Sequence, residues 1–166
     1  MSELELDFFF PITQESLNIL TQSLGTLPFE QPIRIYLASS GGDVNVGIQM
    51  YNYLRRFTNL TIEAMGNIDS IAVVVFLAAK HRTSTANTSF LLHGIALDSA
   101  GPVSLRLKDV EGYSEQLTHQ IKRYSDIFNE RTTGASAPID LKSALAGRSD
   151  VWLDVTAAKS AGILTT

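Results

Sequence analysis

The sequence predicts an α/β fold, and three stretches carry the prediction. A strand-like run, IRIYL at 33–37, passes straight into Ser39-Ser40-Gly41-Gly42, then into a helical stripe over 44–57 and a second strand over 60–64. Strand, glycine turn, helix and strand make one βαβ unit. Residues 65–79, MGNIDSIAVVVFLAA, follow as a small polar notch and a run with no charged side chain, which reads as a helix buried on all sides or a core strand, with its length favouring the helix. Residues 103–133 carry two rows that advance by sevens, Val110, Leu117, Tyr124 and Ser114, Ile121, Phe128, so the longest helix outruns so small a core.

The elements fall in order along the chain. Residues 4–10 suit a short strand that Pro11 ends. Thr13 caps a helix to Leu24, with Leu17, Leu20 and Leu24 on its inner face, and Gly25 closes it. Paired glycines at 41 and 42 let the backbone turn and approach another chain closely. They are neither GxGxxG nor followed by Gly-Lys-Ser, so they do not signal a phosphate loop. Asp43 caps the helix that carries Val44, Ile48, Tyr51 and Leu54. Beyond the buried run, 81–84 is polar, Ala86-Asn87-Thr88 turns the chain, and a strand over 89–92 delivers His93. Residues 94–102 are irregular and lead into the long helix, which Gly134 ends. A short helix from Pro138 to Ala146, an extended piece at 149–153 and a helix over 155–161, capped by Asp154 and stopped by Gly162, complete the chain.

The chain's 166 residues suffice for one domain with a sizeable core, and no repeat or low-complexity stretch divides it. Hydrophobic residues make up 45% and charged residues 18%; the net charge of -4 and the lack of a basic run argue against a nucleic-acid surface. The apolar run at 71–79 is about half of what a bilayer requires. The acidic start, MSELELDFFF, lacks the basic residues of a signal peptide, so a cytoplasmic location is expected. Without cysteine there is no disulfide, thiolate nucleophile or Cys-ligated metal.

Candidate chemistry rests on a serine, a histidine and a carboxylate. Ser70 stands just after a strand and a glycine turn, where helix N–H groups and the helix dipole favour negative charge. That setting suits a nucleophile, and it equally suits an ordinary helix cap. His81, between Lys80 and Arg82, reads as part of a solvated basic cluster, and His119 lies on the long helix. His93 ends an apolar strand and opens a glycine loop, so it is either presented to a cleft or a satisfied structural histidine. A triad also needs a carboxylate to hold the imidazole. Asp150 has no capping duty, whereas Asp154 has one, and Asp98 is the next candidate.

Taken together, Ser39-Ser40-Gly41-Gly42, Gly66-Asn67-Ile68-Asp69-Ser70-Ile71-Ala72, Leu91-Leu92-His93 and Asp150-Val151-Trp152-Leu153-Asp154, followed by Ala157-Ala158 and Gly162, resemble the proteolytic subunit of the Clp proteases. The order and spacing of the pieces carry the likeness, from about Ile33 onward. It implies a crotonase-type fold of stacked ββα units with a protruding handle helix, here 103–133, and two stacked rings enclosing a proteolytic chamber. It implies Ser70 as nucleophile, His93 as general base and acid, and Asp150 as the orienting carboxylate, with the N–H groups of Gly41 and Ile71 meeting the oxyanion. An extended peptide or unfolded protein would pair with the segments at Gly42 and Asp43 and at Gly94 and Ile95, with no metal or cofactor.

Two positions depart from the family's usual pattern. Ser40 replaces a stiffening proline, and Asp69 puts a carboxylate beside the nucleophile, where it would repel an oxyanion or turn away as a cap. The leading reading is a serine endopeptidase subunit of a self-compartmentalised ring, to which an unfoldase ATPase would deliver substrate. The short stretch before the first strand leaves the family's axial pore-loop segment, and hence that docking, unaccounted for. Asp69 motivates the alternative of a catalytically silent ring subunit or scaffold. An acyl-CoA enzyme on the same fold is a third reading, for which no binding residues are recognisable.

Overall fold

The computed structural model describes residues 2–96 and 106–165. The candidate carboxylate Asp98 and the expected helix start at Val103 lie outside them.

The elements run β1 (Leu4–Phe8), α1 (Gln14–Leu24), β2 (Ile33–Ser39), α2 (Val44–Leu54), β3 (Leu60–Asp69), α3 (Ala72–Phe76), β4 (His81–Ser84), β5 (Ser89–Leu92), α4 (Leu107–Arg131), α5 (Leu141–Leu145), β6 (Val151–Leu153) and α6 (Val155–Ser160). The sheet has the order β1-β2-β3-β5-β6, with β4 also paired to β3. All pairs are parallel except β5 with β6. In β2, Ile33, Ile35, Leu37 and Ser39 are buried, while the alternate residues are half-buried, as period-two side chains require. On that second face Arg34 reaches Glu3 at 3.1 Å and Glu63 at 3.3 Å, and Tyr36 Oη donates to Glu5 at 3.2 Å.

Helix starts follow the sequence closely. Thr13 caps α1 in a reciprocal box with Ser16, Asp43 accepts from the N–H groups of Asn45 and Val46, and Asp154 accepts from Ala157. The stretch at 65–79, expected as a polar notch followed by a buried helix, is different. β3 continues through the polar notch to Asp69, and only Ala72–Phe76 is helical. The cause is non-local: residues Asn67, Ile68 and Asp69 pair with Ser89, Phe90 and Leu91, which supply ladder partners that short polar residues would otherwise find in a cap. Gly66, at φ 142, bends the strand where its neighbour changes from β4 to β5.

Every residue of α3 is buried. The helix packs against α2, α4, β3 and β5. Gly47 of α2 makes this possible, because a Cβ there would stand 2.3 Å from Ile71 Cγ1. On α4 the inward face is Gln120, Tyr124 and Phe128, whereas Leu107 and Val110 at the other end are exposed. Of the basic cluster expected to be solvated at 80–82, Lys80 and His81 are exposed, whereas Arg82 is buried among backbone carbonyls.

Candidate active site

Ser70 sits on the turn from β3 to α3 with φ 57, a left-handed conformation that an L-residue rarely adopts. The cap reading is thereby corrected: the N-cap of α3 is Ile71, with no side-chain bond, and Ser70 closes no helix end. Two hydrogen bonds hold the turn. Ser70 N donates to Leu91 O at 2.7 Å, and Tyr124 Oη on α4 donates to Ser70 O at 2.9 Å. Ser70 Oγ itself is unengaged among the described residues.

The glycine turn fronts this hydroxyl. A Cβ at Gly41 would lie 2.7 Å from Ser70 Cβ, 2.8 Å from Asp69 O and 3.3 Å from Ser70 Oγ, so only glycine lets the chain pass so near. Gly41 and Asp43 spend their opposite edge on Ile12: Ile12 N donates to Gly41 O at 2.8 Å, and Asp43 N to Ile12 O at 2.9 Å. Gly41 N–H donates to Ser39 Oγ at 3.2 Å. The N–H groups of Gly42 and Ile71 have no acceptor among the described residues. Of the two expected oxyanion donors, Ile71 is therefore free and Gly41 is engaged, with Gly42 the unengaged glycine.

His93 follows β5 and is half-buried. Its Nδ1 lies 2.9 Å from Gly94 O. A carbonyl only accepts, so Nδ1 carries the proton and Nε2 has the lone pair, the tautomer a general base needs. The β5–β6 ladder pairs Leu91 with Trp152 and Leu92 with Val151. One step further brings His93 opposite Asp150. Asp150 is exposed and has no protein partner among the described residues, and no hydrogen bond joins Ser70 to His93 or His93 to Asp150. Gly94 packs tightly on Gly147, and Ile95 N–H donates to Leu145 O at 3.1 Å, so that amide is not available to pair with a peptide.

Asp69 does not act as a cap. Its Oδ1 is buried without a partner. Burial raises its pKa above the usual carboxylate value, opposed by a bond from Asn67 and by the nearness of His93. Sequence reasoning missed three contributors: Ser39, Tyr124 and Gln120, whose Oε1 is also buried and unpaired. A buried tyrosine hydroxyl needs an acceptor, so the inward row containing Tyr124 held a usable signal. Among the described residues no cluster of His, Cys, Asp or Glu has metal-site spacing, and no helix is long and apolar enough to cross a membrane.

At Gly42, next to the glycine that abuts Ser70, a cleft of about 780 Å³ opens between Thr13, Asp43 and the first turn of α2, Ala96 and the Tyr113, Gln116 and Gln120 face of α4. A free hydroxyl on a strained strand-to-helix turn, a glycine pair against it and a histidine on the adjoining strand suit nucleophilic attack on a carbonyl.

Known proteins share this arrangement of elements. The chain is 30% identical over 144 residues to ATP-dependent Clp protease proteolytic subunit 2 of Borreliella burgdorferi, covering 85% of this chain and 69% of that one. It is 25% identical over 163 residues to proteolytic subunit 1 of Chlamydia abortus, covering 95% and 82%. Among solved structures, a point mutant of ClpP1 from Listeria monocytogenes superposes with a TM-score of 0.75 at 22% identity, over 96% of this chain and 88% of the other, a likeness of fold. The family model described as Clp protease matches residues 4–166, so the chain belongs to the Clp protease family.

Proposed function

We propose that the chain is the serine endopeptidase subunit of a self-compartmentalised ring, cleaving peptide bonds of unfolded proteins or peptides. The observation that carries this reading is the unengaged Ser70 hydroxyl on a left-handed turn, with the free Ile71 N–H directly after it. In the reaction Ser70 Oγ attacks the substrate carbonyl and His93 Nε2 takes its proton. The tetrahedral oxyanion is met by Ile71 N–H and the glycine pair, either by Gly42 or by Gly41 once it leaves Ser39. One such donor contributes roughly 3 kcal/mol to lowering the barrier. His93 then protonates the leaving amine, and water repeats the sequence to free the acyl group. Asp150, one ladder step beyond Val151, orients the imidazolium when His93 Nδ1 leaves Gly94 O.

In this reading the 166 residues act as one domain in the cytoplasm, copies of the chain build a double ring with α4 as the handle, and an unfoldase ATPase is the partner to test for. A fluorophosphonate adduct on Ser70 of the assembled protein, with hydrolysis of short fluorogenic peptides lost in Ser70→Ala, is the expected result. Hydrolysis that persists in Ser70→Ala overturns it.

The second reading is a silent ring subunit. The unbridged Ser70, His93 and Asp150, with Asp69 Oδ1 unpaired beside the nucleophile, favour it. Correct assembly with no adduct on Ser70 selects that reading.

A further inference from the structure

The cleft that opens at Gly42 has an unusual inner wall. Gln120 is 6% exposed, and its Oε1 finds no donor among the described residues. It lies one helical turn before Tyr124, whose hydroxyl holds Ser70 O at 2.9 Å, so it faces the same end of the molecule as the nucleophile. Gly42, next to the glycine that abuts Ser70, and Ala96, three residues past His93, also line the cleft. Its one charged lining residue among those described is Asp43, whose Oδ1 is spent on the N–H groups of Asn45 and Val46; the other polar groups are neutral, among them Gln116 and Tyr113 on α4, Thr13, and Asn45, whose Oδ1 is engaged by Arg123 at 2.9 Å. A buried amide oxygen left unpaired is costly, and a terminal amide torsion turns easily, so a donor entering the cleft would gain a bond that the empty site lacks.

We propose that this cleft receives the substrate side chain next to the bond to be cut, and that Gln120 selects a neutral hydrogen-bond donor there: asparagine, glutamine, serine or threonine. The inference deepens the peptidase reading by naming its substrate class. Leucine or methionine would fill the volume yet leave Gln120 Oε1 unpaired. Sites that hydrogen-bond a substrate group discriminate by its absence, whereas methylene contacts discriminate weakly.

The test measures binding, so that it does not depend on turnover. Alanine-flanked fluorescent peptides, one with a single glutamine and one with a single leucine, are titrated against the assembled Ser70→Ala protein by fluorescence anisotropy. The glutamine peptide is expected to bind roughly tenfold tighter. In Ser70→Ala with Gln120→Met, which keeps the length and loses the acceptor, the preference should vanish or reverse. In Ser70→Ala with Gln120→Glu, which keeps an acceptor and adds charge, a lysine peptide should overtake the glutamine one. Equal or absent binding of both peptides, tighter binding of the leucine peptide, or a preference untouched by Gln120→Met overturns the proposal. A glutamine preference in a protein whose Ser70 takes no fluorophosphonate would instead strike the peptidase reading alone.

Discussion

Tyr124 Oη donates a hydrogen bond of 2.9 Å to the carbonyl of Ser70. The tyrosine is 1% exposed, and burial holds its phenol in the neutral, donating form, well above the usual phenol pKa. Ser70 is the one described non-glycine residue with positive φ, so its turn is strained and must be held by its surroundings. Tyr124 ties that turn to the long helix. In Tyr124→Phe the carbonyl loses its donor inside the core, and stability should fall by about 1–2 kcal/mol in urea unfolding. The rate of fluorophosphonate labelling at Ser70 should fall roughly tenfold, about 1.4 kcal/mol of barrier. An unchanged labelling rate would separate Tyr124 from the nucleophile's geometry.

Gly47→Ala places a methyl group where Ile71 Cγ1 is 2.3 Å away. Inside an exposed helix the same change would stabilise by about 1 kcal/mol. Here overpacking should outweigh that gain, with a net loss of about 1–3 kcal/mol in urea unfolding. Ile71 follows Ser70 directly, so the peptidase rate should fall as well. A more stable variant with full activity would show that α2 and α3 separate without consequence.

Asp69 sets a pH dependence whose sign follows from its burial. Its folded pKa is raised above the ordinary value of 3.8. The neutral carboxyl therefore contributes stability that is fully present below that value and is lost as pH rises through the folded pKa. Above the folded pKa the ionised group destabilises the fold. Asp69→Asn should melt higher than the parent at pH 7, and the difference should shrink toward pH 4. An advantage that grows on acidification would contradict the burial account.

Local chemistry made much of this arrangement legible. The caps Thr13, Asp43 and Asp154, the glycine pair facing Ser70 and the strand that delivers His93 all follow from short-range rules of backbone satisfaction and turn geometry. What was illegible depended on distant partners. Gly66, Asn67 and Asp69 have turn and cap composition, yet residues 67–69 are strand because β5 supplies their ladder. Arg82 lies beside Lys80 and His81 and looks solvated, yet its partners are about 50 and 80 residues away in the chain. The proposed pairing of His93 with Asp150 is intermediate: the β5–β6 register, which ends at Leu92 and Val151, runs toward both, but no local rule fixes where each side chain points.

The exposed end of α4 tests the assembly reading. Leu107 is 77% and Val110 48% exposed on a helix whose other end is built into the core. Exposed apolar residues of this size on one helix fit an intersubunit seam. Val110→Glu should shift sedimentation toward smaller species while far-ultraviolet dichroism is unchanged and the monomer's unfolding free energy stays within about 0.5 kcal/mol of the parent. An unaltered sedimentation profile would remove α4 from the seam.

Arg82 supplies the last prediction, because its charge is buried without a carboxylate partner among the described residues. Its Nε donates to Ile163 O at 2.7 Å, Nη1 to Ala79 O at 2.9 Å, and Nη2 to Gly162 O at 3.0 Å and Arg131 O at 3.1 Å. Arg131 adds bonds of 2.8 Å to Leu77 O and Ala79 O. Two guanidinium groups thus satisfy carbonyls past the end of α3, at the end of α4 and in the C-terminal segment. Burial, then the nearness of Arg131, lowers the Arg82 pKa to about 10, so it remains charged at neutral pH. Arg82→Met fills most of the volume but orphans several carbonyls at once, and should cost about 3–5 kcal/mol in urea unfolding. Arg82→Lys keeps the charge but loses the planar fork that spans these acceptors, so it should recover less than half of the loss. If lysine restored full stability, charge alone rather than the fork's geometry would hold the three segments together.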